Sequence, residues 1–452
     1  MSEQTWRPSG MRGFVVMWVG QFVSLLGSGM TRFAIALWAW EMTGSATALA
    51  LITFFAFAPQ IFLGSVAGAL VDRWNRKLVM ILSDSMAGVA TIALFFLAWT
   101  GNLQLWHLYA AATFASVFEA FQFPAFSAAI TVMVDKSQYS RTSAMLGLAN
   151  SVSTIIAPIS AAALYAVIGL QGIMAIDIVT FLFATLTLLL IVVPPVKRTD
   201  AGEGSRSNLW QESLFGFRYI IERKSLLAVQ MVFFFGNLIF GAVIVLIPAM
   251  ILARTGNDEI LLATVNALMG IGGVVGGVLM STWEGFPRKV YGVLIAFLIA
   301  AVPGAVVLGM GQSLLLWGIG GFCFSFSLPM MNASNQAIWQ AKIPPDIQGK
   351  VFGARRIFAQ LAFPASMLIG GVLSDNVFEP AMMPDGALAG MFGDLVGVGA
   401  GAGMGLLFVL MGCAMVVVVA IAFTVPFIRD VEMIVPDFDE VAESGGVTVA
   451  PA

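Results

Sequence analysis

The sequence predicts an all-α integral membrane protein: twelve transmembrane helices in two six-helix bundles. Three observations carry that prediction. Of the 452 residues, 59% are hydrophobic and only 10% are charged. Many apolar runs exceed the ~18 residues that mark a membrane-spanning helix. Lys and Arg fall almost wholly in alternate connections between those runs. A mean hydropathy of +0.93 excludes a set of soluble domains of the same length.

The first run follows Arg7 and Arg12 and continues to Trp40 without a small-residue cleavage site. It therefore reads as a retained span and not as a signal peptide. Spans are predicted over 14–40, 47–71, 78–100, 105–134, 142–168, 170–193, 226–253, 260–284, 290–311, 314–341, 350–374 and 400–425. The start of the chain and the even-numbered connections hold bases from Arg7 through Arg356. The odd connections hold only Arg254. By the positive-inside rule both termini face the cytoplasm, and a wrong helix count would scramble the asymmetry.

The polar segment 194–225 divides the spans six and six. Its first part is a Gly/Ser/charge-rich linker. Its second part spaces Trp210, Leu214, Phe217 and Ile221 as one face of an amphipathic helix lying on the cytoplasmic membrane face. The expected organisation is a bundle over 1–193, the linker 194–225, a bundle over 226–426 and an acidic cytoplasmic tail over 427–452, disordered from Asp430. The stretch 375–399, with Asp375, Glu379, Asp385 and Asp394, reads as an ordinary exposed outer loop.

The halves repeat each other. "EMTGSA" matches "ARTGND", Gly64 and Gly68 match Gly273 and Gly277, "QFPAF" matches "SLPMM", and "IIAPISAAAL" matches "LAFPASMLIGGVL", all at a nearly constant offset. Six spans per copy is even, so the copies share one orientation, as in six-plus-six secondary transporters.

Enzymatic classes find little support. Cys323 and Cys413 lie inside apolar runs, His107 is the only histidine, and no Cys/His cluster offers a metal site. No Gly-x-x-x-x-Gly-Lys-Ser/Thr loop exists for nucleotide phosphates. No enzyme activity, metal, cofactor or nucleic-acid partner is expected.

One short turn concentrates charge. "GALVDRWNRK" places Asp72, Arg73, Arg76 and Lys77 between the second and third spans, with Gly64 and Gly68 at close-packing spacing. Asn75 stands where a left-handed residue suits the turn. The bases follow topology. Asp72 does not, and a carboxylate at a span end needs a base or a helix N-terminus as partner.

This stretch resembles the Gly-x-Leu-x-Asp-Arg-x-Gly-Arg-Lys/Arg signature of the major facilitator superfamily, with Asn75 in place of a glycine. With twelve spans and the repeat, the resemblance covers nearly the whole chain. It implies two bundles, each with inverted three-plus-three repeats. It also implies a cytoplasmic gate of Gly68, Asp72, Arg73, Arg76 and Lys77 meeting the start of span eleven near Arg355 and Arg356. Asp84, about two turns into span three, is close enough to the charged turn to pair with Arg73 or Arg76, and by its depth reads as gate support or else as a substrate group. The second-half copy has Ser281 where Asp72 would fall, so the gate is expected to be one-sided. "GLANSVSTIIAPISAA" resembles the fifth-helix motif of family exporters: Pro158 is kept, alanines stand at 157, 161 and 162, and Gly147 opens the stretch. "LVDRWNRK", "FPAF", "AIDIVTFLFA" and "FRYIIERKSLL" together are most similar to the branch containing the enterobactin and macrolide exporters.

Charges inside spans are candidate transport residues. The resemblance places spans one and four beside the central cavity, where Arg32 and Glu119 would meet. Their pairing reads either as a substrate or proton site or as a fixed salt bridge. Asn332, Asn335 and Gln336 of span ten would line the cavity or bond neighbouring helices. Asp177 in span six reads as a structural hydrogen-bonded group. The expected partners are a small amphipathic substrate, protons and the lipid bilayer, for a monomer in the bacterial inner membrane.

Overall fold

The computed structural model describes residues 10–71, 74–134, 138–193, 209–283, 285–344 and 347–437. Two units separate by their internal packing, Met1–Gly202 and Glu203–Ala452.

In the first unit, α1 (Gly10–Thr43), α2 (Ala46–Val71), α3 (Arg76–Trp99) and α4 (Leu105–Met133) are followed by a helix Tyr139–Leu190. That last helix breaks at Gly169, where φ is 63° and ψ −173°. This backbone region is essentially closed to any residue with a Cβ, so the glycine splits one long apolar run into two crossings, α5 (139–168) and α6 (170–190). Helix α1 packs on α5 and α6, and α4 packs between α2 and α3.

The second unit opens with the linker helix α7 (Leu209–Glu222). Spans α8 (Lys224–Thr255) and α9 (Glu259–Thr282) follow. Span α10 (289–310) contains a π-helical stretch, Ala300–Val306, around Pro303. Span α11 is Leu314–Lys342. Span α12 (348–381) joins Gln348–Gln360, Ala362–Leu373 and a π segment Ser374–Phe378. A short α13 (Ala389–Val396), the span α14 (Ala402–Thr424) and two helical turns, α15 (Pro426–Arg429) and α16 (Val431–Ile434), complete it.

Ten helices among the described residues are long and apolar enough to cross a membrane. One of them is the pair split at Gly169, and α4 supplies the twelfth crossing with 29 residues. Glu119 and Gln122 lower its hydropathy without shortening it. At ~1.5 Å per residue every span exceeds the ~30 Å hydrocarbon thickness.

The structure changes four local expectations. Asn75 is not left-handed. Its φ is −69° and ψ 109°, and its side chain accepts from the Leu78 N–H, which makes it the N-cap of α3. The stretch 375–399 is not an ordinary exposed loop. It extends α12, adds α13, and buries Met382 and Val396 against Ala402, Leu406 and Val409. The tail is folded at least to Asp437. The Glu432 carboxylate accepts from the backbone N–H groups of Lys289 and Val290, both at 3.0 Å, and so caps α10. Lys342 Nζ donates to the Glu432 carbonyl at 2.7 Å and to Asp437 Oδ1 at 2.5 Å. Residues 438–452 lie outside the described set. The linker helix α7 turns part of its apolar face to protein. Ile220 is fully buried, and the Phe217 ring lies 5.8 Å from that of Phe358 on α12, while Phe215 and Ile221 stay exposed. Trp210 and Leu214 have side chains outside the described set.

The second half's glycines also divide differently. A Cβ at Gly276 would collide with the Phe326 carbonyl oxygen of α11, whereas one at Gly277 would meet nothing among the described residues. So Gly272 and Gly276, not Gly273 and Gly277, let α9 approach α11. Because the obstacle at Gly276 is backbone, no rotamer relieves it. Gly276→Ala is expected to cost about 1–3 kcal/mol. Gly277→Ala should be near neutral. Thermal unfolding of the detergent-solubilised protein distinguishes the two.

Candidate functional site: polar groups inside the spans

Polar side chains in the first unit fall into three groups. The first joins three helices. Gln21 Nε2 on α1 donates to Asp84 Oδ2 on α3 at 2.7 Å, and Gln122 Nε2 on α4 donates to Asp84 Oδ1 at 2.7 Å. Gln122 Nε2 also lies 3.3 Å from Gln21 Oε1. Asp84 is therefore held by two amides, 63 and 38 residues away in sequence. Of the two arginines expected to pair with Asp84, Arg73 lies outside the described residues. Arg76 lies eight residues earlier on the same helix, roughly 12 Å along the axis.

The second group centres on Asp177, which is buried. Ser28 Oγ on α1 donates to its Oδ1 at 3.0 Å and Thr91 Oγ1 on α3 to its Oδ2 at 3.4 Å. The hydroxyls partner a carboxylate that would otherwise be costly in an apolar surround. Arg32, three turns of α1 from Gln21, is near enough to act on Asp177 electrostatically and remains exposed.

The third group is Glu119, which is exposed and accepts from Gln60 Nε2 of α2 at 2.8 Å. Arg32 and Glu119 do not pair. The reason is helix rotation: α4 turns Glu119 toward α2, while α1 turns Arg32 toward α6.

The charged turn is only partly described, because Asp72 and Arg73 lie outside the described residues, as does the surrounding of Gly68. Lys77 has a definite role. Its Nζ donates to the carbonyls of Leu189 at 3.1 Å and Ile191 at 2.7 Å. It thus satisfies open carbonyls at the end of α6, where a cation is also favoured by the helix dipole.

The fifth-helix motif packs through its alanines. Ala157, Ala161 and Ala162 are buried, and a Cβ at Gly29 of α1 would stand 2.8 Å from the Ala157 Cβ. Pro158 is half-buried. Gly147 is exposed, and nothing among the described residues lies within 4 Å of an added Cβ.

In the second unit Asn335 is buried and accepts from Trp339 Nε1 at 3.0 Å, which turns it into the helix core. Asn332 is exposed and Gln336 half-buried. The Arg355 guanidinium lies over the Trp339 ring at 5.4 Å and the Phe352 ring at 5.5 Å. Its Nη1 is buried without a hydrogen-bond partner among the described residues. Gln230 Nε2 on α8 donates to the Arg355 carbonyl at 3.3 Å. Arg356 is exposed.

Two features carry little signal in the sequence. Gln122 stands out only as a polar residue three positions after Glu119. Arg254 reads only as the exception to the charge rule. It donates from Nε to the Gly401 carbonyl at 3.1 Å, from Nη2 to the Val396 carbonyl at 2.8 Å, and from Nη1 to the Gly311 carbonyl. Beside it the Glu379 carboxylate accepts from the N–H groups of Gly401 at 3.0 Å and Met404 at 2.8 Å, capping α14. No cluster of metal-ligating side chains occurs among the described residues.

Comparison with known proteins agrees with this architecture. The Major Facilitator Superfamily model matches residues 17–367. Macrolide efflux protein A of Streptococcus pyogenes is 26% identical over 375 residues, covering 80% of this chain and 90% of that protein. The Enterococcus faecalis protein of the same name is 26% identical over 335 residues, covering 72% of this chain and all of that one. Among solved structures, a POT family transporter in complex with 5-aminolevulinic acid superimposes with a TM-score of 0.66 at 10% identity, covering 91% of this chain and 96% of that one. An inward-facing, occupied bacterial homologue of the lysosomal transporter Spinster gives a TM-score of 0.65 at 15% identity, covering 90% and 95%. A family match over most of the chain, on a framework of twelve crossings with polar groups held inside the spans, makes this protein a multi-pass membrane transporter that belongs to the Major Facilitator Superfamily.

Proposed function

We propose that the protein exports a small amphipathic molecule of macrolide type from the cytoplasm by alternating access, driven by proton antiport. The observation that carries the reading is the similarity to the macrolide efflux proteins over four fifths of the chain. In this reading the transporter works as a monomer in a bacterial inner membrane with both termini cytoplasmic, as the distribution of bases favours. Asp72 and Arg73 latch the cytoplasmic side against the start of α12, near Arg355 and Arg356, while the cavity faces outward. Arg32, Glu119 and Asn332 line the substrate path. Their exposure supports this, because a charged side chain open to the outside of its own bundle is costly against lipid and acceptable against a watery cavity.

The test is a susceptibility screen in an efflux-deficient bacterium, with erythromycin as probe. Expression is expected to raise the inhibitory concentration several-fold. In everted vesicles, interior acidification should drive erythromycin inward. Accumulation only under the opposite gradient would reverse the direction, and no movement under either gradient would point to a non-transporting receptor.

A further inference from the structure

A cavity of about 370 Å³ opens among the helix ends of the first unit that lie away from the charged turn. Trp38 and Met42 of α1, Tyr165 of α5 and Gln171 of α6 line it, with the buried Leu103 and Leu170. Its volume falls in the range of small-molecule sites.

One charge stands beside it. The Tyr165 hydroxyl donates to Glu41 Oε2 at 2.9 Å, which holds the carboxylate against a lining side chain. Trp38, Glu41 and Met42 lie within about 100° of one another around α1. No base answers the carboxylate. The chain between α1 and α2, between α3 and α4, and at the Gly169 break holds no Lys or Arg. Glu41 makes no ion pair among the described residues. On its own helix Arg32 is nine residues earlier, roughly 13 Å along the axis. Gln171 adds an acceptor. Its Nε2 donates to the Ala98 carbonyl at 3.2 Å, which ties α6 to the end of α3, and its Oε1 stands 3.4 Å from where a Cβ on Gly169 would lie.

An uncompensated carboxylate among aromatic and apolar walls suits a weakly hydrated organic cation. The ring faces and the carboxylate attract its charge, and the apolar walls accept its substituents. A hard metal ion needs more oxygen ligands than one carboxylate offers. An anion would need a base.

We infer that this cavity binds an alkyl- or arylammonium group, at a site apart from the path of Arg32, Glu119 and Asn332. Trp38 supplies a ring face, and Glu41, oriented by Tyr165, supplies the charge. In the orientation proposed above the cavity opens outward, at the depth where Trp and Tyr meet lipid headgroups. Two sources share the chemistry there: the ethanolamine headgroup of a lipid and a free amphipathic amine.

Titration calorimetry of the purified full-length protein tests the site, with benzyltrimethylammonium as probe and benzyl alcohol as its uncharged control. The ammonium is expected to bind saturably and the alcohol not to. Trp38→Leu should weaken binding by roughly 2–30-fold, the span of cation–π contributions. Glu41→Gln should weaken it several-fold, and Tyr165→Phe should act in the same direction by releasing the carboxylate. No saturable binding to the wild type overturns the site, as does equal affinity for the alcohol, or an affinity unchanged in both Trp38→Leu and Glu41→Gln. Should Trp38→Leu not fold, Glu41→Gln, at an exposed position, decides it alone. Nanodiscs separate the two sources. Weaker probe binding in phosphatidylethanolamine than in digalactosyldiacylglycerol, which has no amine, identifies the headgroup as occupant, and equal binding identifies a free amine. None of these readouts depends on erythromycin export, so the site and the transport reading stand or fall separately.

Discussion

Arg254→Ala is expected to destabilise the second unit strongly. The guanidinium donates to three carbonyls, those of Gly311, Val396 and Gly401, gathered from the ends of α10 and α13 and the turn before α14. The Gly311 and Val396 carbonyls lie where helix ends leave acceptors open, so losing the side chain strands both, while the Gly401 carbonyl keeps the Gly405 N–H. Hydrogen bonds to a charged donor are worth roughly 1.5–3 kcal/mol each, and part of the loss is recovered by water at this half-exposed site. A net cost of about 3 kcal/mol follows, or roughly 5–10 °C in the unfolding midpoint of a unit this size. Arg254→Lys should recover only part of it, since one ammonium does not reproduce the planar fork. Gly405→Ala should act in the same direction, because its Cβ would collide with Arg254 Nη2. Calorimetry of the detergent-solubilised protein ranks the three, and an Arg254→Ala midpoint within about a degree of wild type would refute the account.

Asp72→Ala is expected to leave the fold intact and remove most export. A latch that favours the outward-facing state by about 1–3 kcal/mol biases that equilibrium roughly 5–150-fold, so its loss leaves a transporter that no longer holds its cytoplasmic side closed. The control lies in the second half. Ser281, at the position equivalent to Asp72, is exposed and donates to the Val278 carbonyl of its own helix. Ser281→Ala should therefore leave erythromycin resistance at the wild-type level. Equal loss in both variants would argue against a one-sided latch.

The spans are legible in the sequence because a bilayer imposes a length and a polarity that single residues cannot evade. Predicted and observed ends agree within a few residues at most helices; α12 is the main exception. There Glu379 caps α14 and draws 375–381 into the helix. The tail departs from expectation for a similar reason. Its acidic composition suggests disorder, yet Glu432 has two backbone donors waiting at the start of α10.

Sequence by itself determined the helix count and the two-half repeat, since these follow from hydrophobic length along one dimension. Only the tertiary structure decided who meets whom. Asp84 meets Gln21 and Gln122, Glu119 meets Gln60 instead of Arg32, and Asn75 caps a helix instead of turning a corner. A helix repeats every ~3.6 residues, so each added residue turns a side chain by about 100°, and hydropathy in a span greasy on all sides does not record which way it points.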